Sequence, residues 1–266
     1  ENAPASFGTP APSFSIVDST VADFGAGDIG ACVIVNHAGD GELTLAPSVG
    51  EEFDGGALPG GWTSQAWNPG GGTTVTGGQL SIDGAVAQSA AAYAAGRSLE
   101  FKATFSATPF QTAGFGSTGS IFNEAPWAVF GTGSGGSQVY ARVWAPGGGS
   151  SVDVGLGAGY LGSPHTYRIE WLANQIKFSI DGALLHTEAA TLADPMSIGA
   201  SDYAAGAGSM SVDWLRVSPY GSPCAFTSRV LDAGAVVDWQ NVQVQGSVAA
   251  GASAVAAVSA VGNSAG

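Results

Sequence analysis

"PHTYRIEWLANQIKFSIDG", residues 164–182, holds two runs in which apolar and polar residues alternate. Tyr167, Ile169 and Trp171 share one face of the first run, and Ile176, Phe178 and Ile180 share one face of the second. A short polar turn separates them, so the stretch reads as a β-hairpin buried on one side. The period recurs elsewhere. "SLEFKATF" (98–105) aligns Leu99, Phe101, Ala103 and Phe105, and "QVYARVW" (138–144) and "MSVDWLRV" (210–217) follow the same rule. Glycine-rich turns divide these runs, and no long window shows capped helical periodicity. The sequence therefore predicts an all-β protein built as a sandwich.

Composition narrows the partners. The 266 residues contain 7 Lys and Arg against 21 Asp and Glu, a net charge of −14. Such a surface repels phosphate backbones and anionic lipid, which excludes nucleic acid and disfavours membranes. No run of roughly 18 apolar residues exists, so no membrane insertion is expected. Surfaces filled by Ala, Gly, Ser and Thr rather than Lys suit a secreted protein at the cell surface. "ENAPASFGTPAPSF" (1–14) lacks a charged and then apolar leader pattern and reads as a mature N-terminus. Cys32 and Cys224 match no metal-ligand spacing; they form either one long-range disulfide in an oxidising compartment or two buried thiols.

Four pieces in order carry a family resemblance: "EEFDGGALPGGW" (51–62), "GRSLEFKATF" (96–105), the 164–182 hairpin and "SMSVDWLRVSPY" (209–220). Together they resemble the concanavalin A-like lectin/glucanase superfamily, in particular glycoside hydrolase family sixteen and its laminarinases. The resemblance implies a jelly-roll sandwich of two antiparallel sheets over residues 50–221, with a polysaccharide-binding concave face. The flanks, "DGELTLAPS" (40–48) and "FTSRVLDAGAVVDW" (226–239), resemble strands of a galactose-binding-like jelly roll, a module of bacterial surface proteins. Residues 19–49 and 222–266 are thus expected to form a second, smaller and incomplete β-sandwich. The lectin-like domain would be inserted within it, and a Cys32–Cys224 bridge would staple the two halves. Residues 1–18 read as an extended Pro-rich arm. An incomplete sandwich leaves strand edges open, so a homo-oligomer or polymer formed by strand pairing is a further expectation.

The chemistry of the resembling glucanases needs two carboxylates about 5 Å apart, projected from one strand as Glu-x-Asp-x-x-Glu. The strand preceding the hairpin reads "FNEAPWAVFGT" (122–132) instead, with Glu124 alone. No catalytic residue is expected. Glycine patterns at 25–30 and 114–119, "GNSAG" at 262–266, and the scattered His37, His165 and His186 carry no recognisable site. Alternation places Tyr140, Arg142 and Trp144 on one face, a sugar-stacking row that Trp127 would extend. The resemblance also implies a structural Ca2+ on the convex face, held by backbone carbonyls of Glu52 and Gly96 and the carboxylate of Asp213. The expected function is a non-catalytic, lectin-like extracellular protein that binds carbohydrate. The alternatives are a self-assembling subunit of a filament or sheath and, least favoured, a glycoside hydrolase.

Overall fold

The structure is a computed structural model that describes residues 15–36, 40–232, 241–246 and 253–257. A one-turn helix, α1 (Val21–Gly25), comes first. It is followed by β1 (Cys32–Val35), β2 (Glu42–Leu45), β3 (Pro47–Glu51), β4 (Trp62–Ala66), β5 (Gly72–Thr76) and β6 (Gln79–Asp83). Next come β7 (Ala85–Tyr93), β8 (Arg97–Thr104), β9 (Gln111–Ser117), β10 (Trp127–Gly131), β11 (Val139–Trp144) and β12 (Val152–Gly157). The last are β13 (His165–Trp171), β14 (Ile176–Ile180), β15 (Ala183–Glu188), β16 (Met196–Asp202) and β17 (Met210–Tyr220).

Two antiparallel sheets face each other. One has the order β12-β11-β10-β9-β16-β7-β4, the other β15-β14-β13-β8-β17-β6-β5, with β3 added alongside β17. Residues 164–182 form the β13–β14 hairpin. It pairs Tyr167 with Ile180, Ile169 with Phe178 and Trp171 with Ile176. All six are buried in one continuous core, which is the period-two pattern converted into packing. Tyr167 stacks on Phe101 at 5.4 Å and meets Phe130 at 4.9 Å, so aromatic contacts bridge the two sheets. Burial pushes the Tyr167 hydroxyl well above its ordinary pKa; it donates to the Tyr160 carbonyl.

The flanks meet where the sandwich opens and closes. β3 pairs with β17, bringing the first and last strands of the central unit side by side. Just outside them, Cys32 and Cys224 form the disulfide that composition allowed, with Cα atoms 5.1 Å apart. Phe24 packs edge-on against Phe226, Asp28 bridges Thr227, and Arg229 binds Asp18 and Asp23. β1 and β2 form a two-stranded antiparallel sheet within residues 19–49. Helix α1 was not foreseen. Its signal is local: Thr20 caps the backbone N–H of Asp23, and the Asp23 carboxylate returns to Thr20.

Most of the arm, and most of the strands expected after Cys224, fall on residues outside the described ones. Residues 241–246 and 253–257 are described without regular secondary structure. The expected boundary between residues 49 and 50 falls within β3.

Candidate carbohydrate-binding face

Core side chains fix which residues point away from the sandwich. In β10, Ala128 and Phe130 enter the core, leaving Trp127, Val129 and Gly131 on the outer face. In β11, Val139, Ala141 and Val143 enter the core, so Tyr140, Arg142 and Trp144 face out beside them. Register sets Trp127 opposite Trp144, Val129 opposite Arg142 and Gly131 opposite Tyr140. β10 lies in the segment where the sequence resemblance would expect a carboxylate pair. Its outer positions carry an indole, an isopropyl group and a hydrogen.

The four residues of the expected sugar row are brought together, but not as one exposed platform. Trp127 is only 5% exposed. The Trp144 ring lies edge-on to it at 5.9 Å, and the Arg142 guanidinium sits 5.1 Å over its face. Arg142 is held by Asp153 at 3.0 Å, and Trp144 donates its indole N–H to the Gly148 carbonyl. Trp127 is therefore a floor residue, with Tyr140, Arg142 and Trp144 half-buried around it. Its indole Nε1 and the Nε of Arg142 are buried donors with no protein partner, an uncommon state for such groups.

The connection between β9 and β10, residues 118–126, folds back over the centre of this face. Ile121 is buried there on two glycines. A Cβ at Gly116 would lie 2.0 Å from the Ile121 carbonyl oxygen, and one at Gly199 would lie 2.7 Å from the Ile121 side chain. Only glycine leaves room for the loop at these points. Glu124 closes that loop by accepting from the Ser117 hydroxyl and the Ser120 backbone N–H. Glu124, the one carboxylate within residues 122–132, thus serves loop geometry, at a position off the strand. Between the loop and β4 and β7 runs a groove of about 400 Å³, lined by Thr63, Gln65, Trp67, Val86, Gln88 and Asn123 among others. The amides and the indole of this groove were missed by sequence reasoning. The outward alternation of Thr63, Gln65 and Trp67 in "TSQAW" was the available signal.

The positions proposed for calcium do not gather. Asp213 pairs with Lys102 at 2.9 Å, and the Glu52 carboxylate pairs with Arg216. Gly96 donates its N–H to Trp171 and precedes β8, six residues from Lys102. That is about 20 Å along an extended strand. A cation bound to one set of oxygens does not fit this arrangement. Among the described residues, no group of three His, Cys, Asp or Glu could hold a metal. His165 lies at the start of β13, its Nδ1 2.7 Å from Asp181 and its Nε2 3.0 Å from Ser163 Oγ. This polar chain pins the turn after β14. His186 approaches Glu188 on β15, and His37 lies outside the described residues.

Two facing antiparallel sheets in this strand order define the class: the concanavalin A-like glucanase fold. Solved structures agree. The endo-β-1,3-glucanase of Pyrococcus furiosus superposes with a TM-score of 0.51 at 14% identity, over 74% of this chain and 99% of that one. The catalytic domain of an endo-1,3-β-glucanase (laminarinase) from Thermotoga petrophila gives 0.51 at 14%, over 70% and 99%. The β-glucanase of Bacillus licheniformis gives 0.50 at 19%, over 66% and 100%. At these identities the likeness is one of fold. No protein-family model matches the sequence, and no curated protein matches it.

Proposed function

We propose that this is a secreted, non-catalytic carbohydrate-binding protein that uses the outer face of its seven-stranded sheet. The observation that carries this reading is β10. The strand that projects paired carboxylates in the resembling glucanases here projects Trp127, Val129 and Gly131. Hydrolysis by a carboxylate pair has no place on it. What remains suits binding: half-buried aromatics at Tyr140 and Trp144, two unpartnered donors, and a groove lined by amides. The disulfide supports an oxidising, extracellular setting. No helix among the described residues is long and apolar enough to cross a membrane.

Isothermal titration against a panel of soluble polysaccharides tests the reading. Trp144→Ala is expected to weaken binding about tenfold while leaving the melting temperature nearly unchanged. Release of reducing sugar from the same panel by the wild-type protein would overturn the non-catalytic part.

Assembly through strand pairing is the second reading, and the edge strand β15 favours it. Leu184 is 57% exposed there and Leu185 also faces solvent, on the last strand of its sheet. A concentration-dependent mass in light scattering, abolished by Leu184→Lys, would support it; a monomer at all concentrations would remove it.

A further inference from the structure

A row of aromatics at one end of the seven-stranded sheet starts at Trp67 of the groove, and its use rests on the carbohydrate reading above. Ala66, Ala85, Asp202 and Gln111 are mutually aligned across β4, β7, β16 and β9. Trp67, Tyr203 and Phe110 are each the residue just beyond that line. Their rings form a chain of contacts, Trp67 to Tyr203 at 6.3 Å and Tyr203 to Phe110 at 6.0 Å. Tyr203 is 50% exposed and Phe110 45% exposed. From β4 to β9 the row spans three strand spacings, about 14 Å.

The row is built rather than incidental. Phe110 has φ +60°, a left-handed conformation that a bulky side chain adopts only under constraint. The constraint is visible beneath it. Its N–H donates to Gly133, and the Gln111 N–H donates to the Thr132 hydroxyl. The Gln111 amide donates to Ser106, Asp202 and Gly208 and accepts from the Ser106 N–H. Tyr203 is fixed on one side by Asp202, whose carboxylate accepts from the Ala204 N–H, and on the other by Asn68, which donates to the Tyr203 carbonyl. The Trp67 indole donates to Ser201. A buried polar network thus spends strain to hold an apolar ring in solvent, an arrangement that core packing does not require.

Charge selects the ligand. Of the seven cations, Arg97, Lys102, Arg168, Lys177 and Arg216 lie on strands of the other sheet and Arg229 in the flank. Arg142 is neutralised by Asp153. The carboxylates at the row are Asp202, beneath it, and Asp83, which accepts from Gly206 N–H. An anionic chain meets only repulsion there. Ring orientation narrows the choice further. Trp67 and Tyr203 are inclined by 43° and Tyr203 and Phe110 by 78°, so no flat crystalline surface can stack on all three. We propose that Trp67, Tyr203 and Phe110 form a second contact strip for a soluble, twisted, neutral polysaccharide chain, separate from the Tyr140–Trp144 patch.

The test is calorimetric titration with laminarin, mixed-linkage β-glucan, xyloglucan, galactomannan and polygalacturonate, together with a pull-down on crystalline cellulose. Phe110→Gly removes the ring and relieves the strained backbone, so its melting temperature is expected to hold or rise. Its affinity for the neutral polymer bound by the wild type is expected to fall about tenfold. Tyr203→Ala is expected to do the same, and crystalline cellulose is not expected to retain the protein. Wild-type affinity in both variants, with binding lost in Trp144→Ala, would overturn the strip and leave the carbohydrate reading standing. Binding of polygalacturonate alone, or retention on cellulose through these rings, would overturn the ligand class. A wild-type protein that binds none of the polymers would overturn both proposals.

Discussion

Five of the seven cations lie on strands of the eight-stranded sheet, where Lys102 meets Asp213, Arg168 meets Glu170 and Arg216 meets Glu52. Across the sandwich, the outer face of the seven-stranded sheet carries one cation, Arg142, among glycines, serines, aromatics and amides. Both sheets obey the same alternation and share one core. They differ in what their outward positions are for. The first face pairs three of its five cations with carboxylates. The second keeps two buried donors without partners and props aromatic rings outward, which leaves hydrogen bonds and apolar area for something else to complete.

Trp127→Ala tests that contrast most severely. Removing a buried indole from beneath Trp144 and Arg142 should lower the unfolding free energy by about 4 kcal/mol in urea titration. Trp144→Ala, on the rim, should cost less than about 1 kcal/mol. Equal costs would mean that floor and rim are not distinct. On the other face, Glu52→Ala should cost about 3 kcal/mol, because Arg216 is 4% exposed and loses a carboxylate partner. A neutral result would show that its remaining interactions suffice.

The smallest effect concerns Asp202 beneath the aromatic strip. Burial pushes its carboxyl above the usual range, overcoming hydrogen bonds from Gln111 and Ala204, and Asp83 adds repulsion. A raised folded pKa means that the native state holds the proton longer than the unfolded chain. Its contribution to stability is then fully present below the unfolded value, about 3.9, and is lost as pH rises through the folded value. Plotted against pH over that window, the downward slope should be shallower in Asp202→Asn.

The scaffold was legible because its information is local. Tyr167, Ile169 and Trp171 announce their burial through spacing alone, and the β11 row reads in and out as the structure has it. The burial of Trp127 was not legible, since it depends on Trp144 and Arg142 from the neighbouring strand. Phe110 and Tyr203 were invisible for another reason. They stand just beyond strand ends, in "TPFQ" and "SDYAAG", where no period exists and only exposure distinguishes them. The calcium set shows the converse limit. Glu52 and Asp213 do lie close together across β3 and β17, but Asp213 sits beside Lys102, most of the length of β8 away from Gly96.

The bridge between Cys32 and Cys224 spans 192 positions of sequence, with both sheets of the sandwich inside the closed loop. Tension applied to the chain on either side of it would pass through one covalent bond and bypass every strand between. The domain hangs from the load path as a pendant rather than forming a link in it. The two sheets would keep their shape under a pull that extends the flanks.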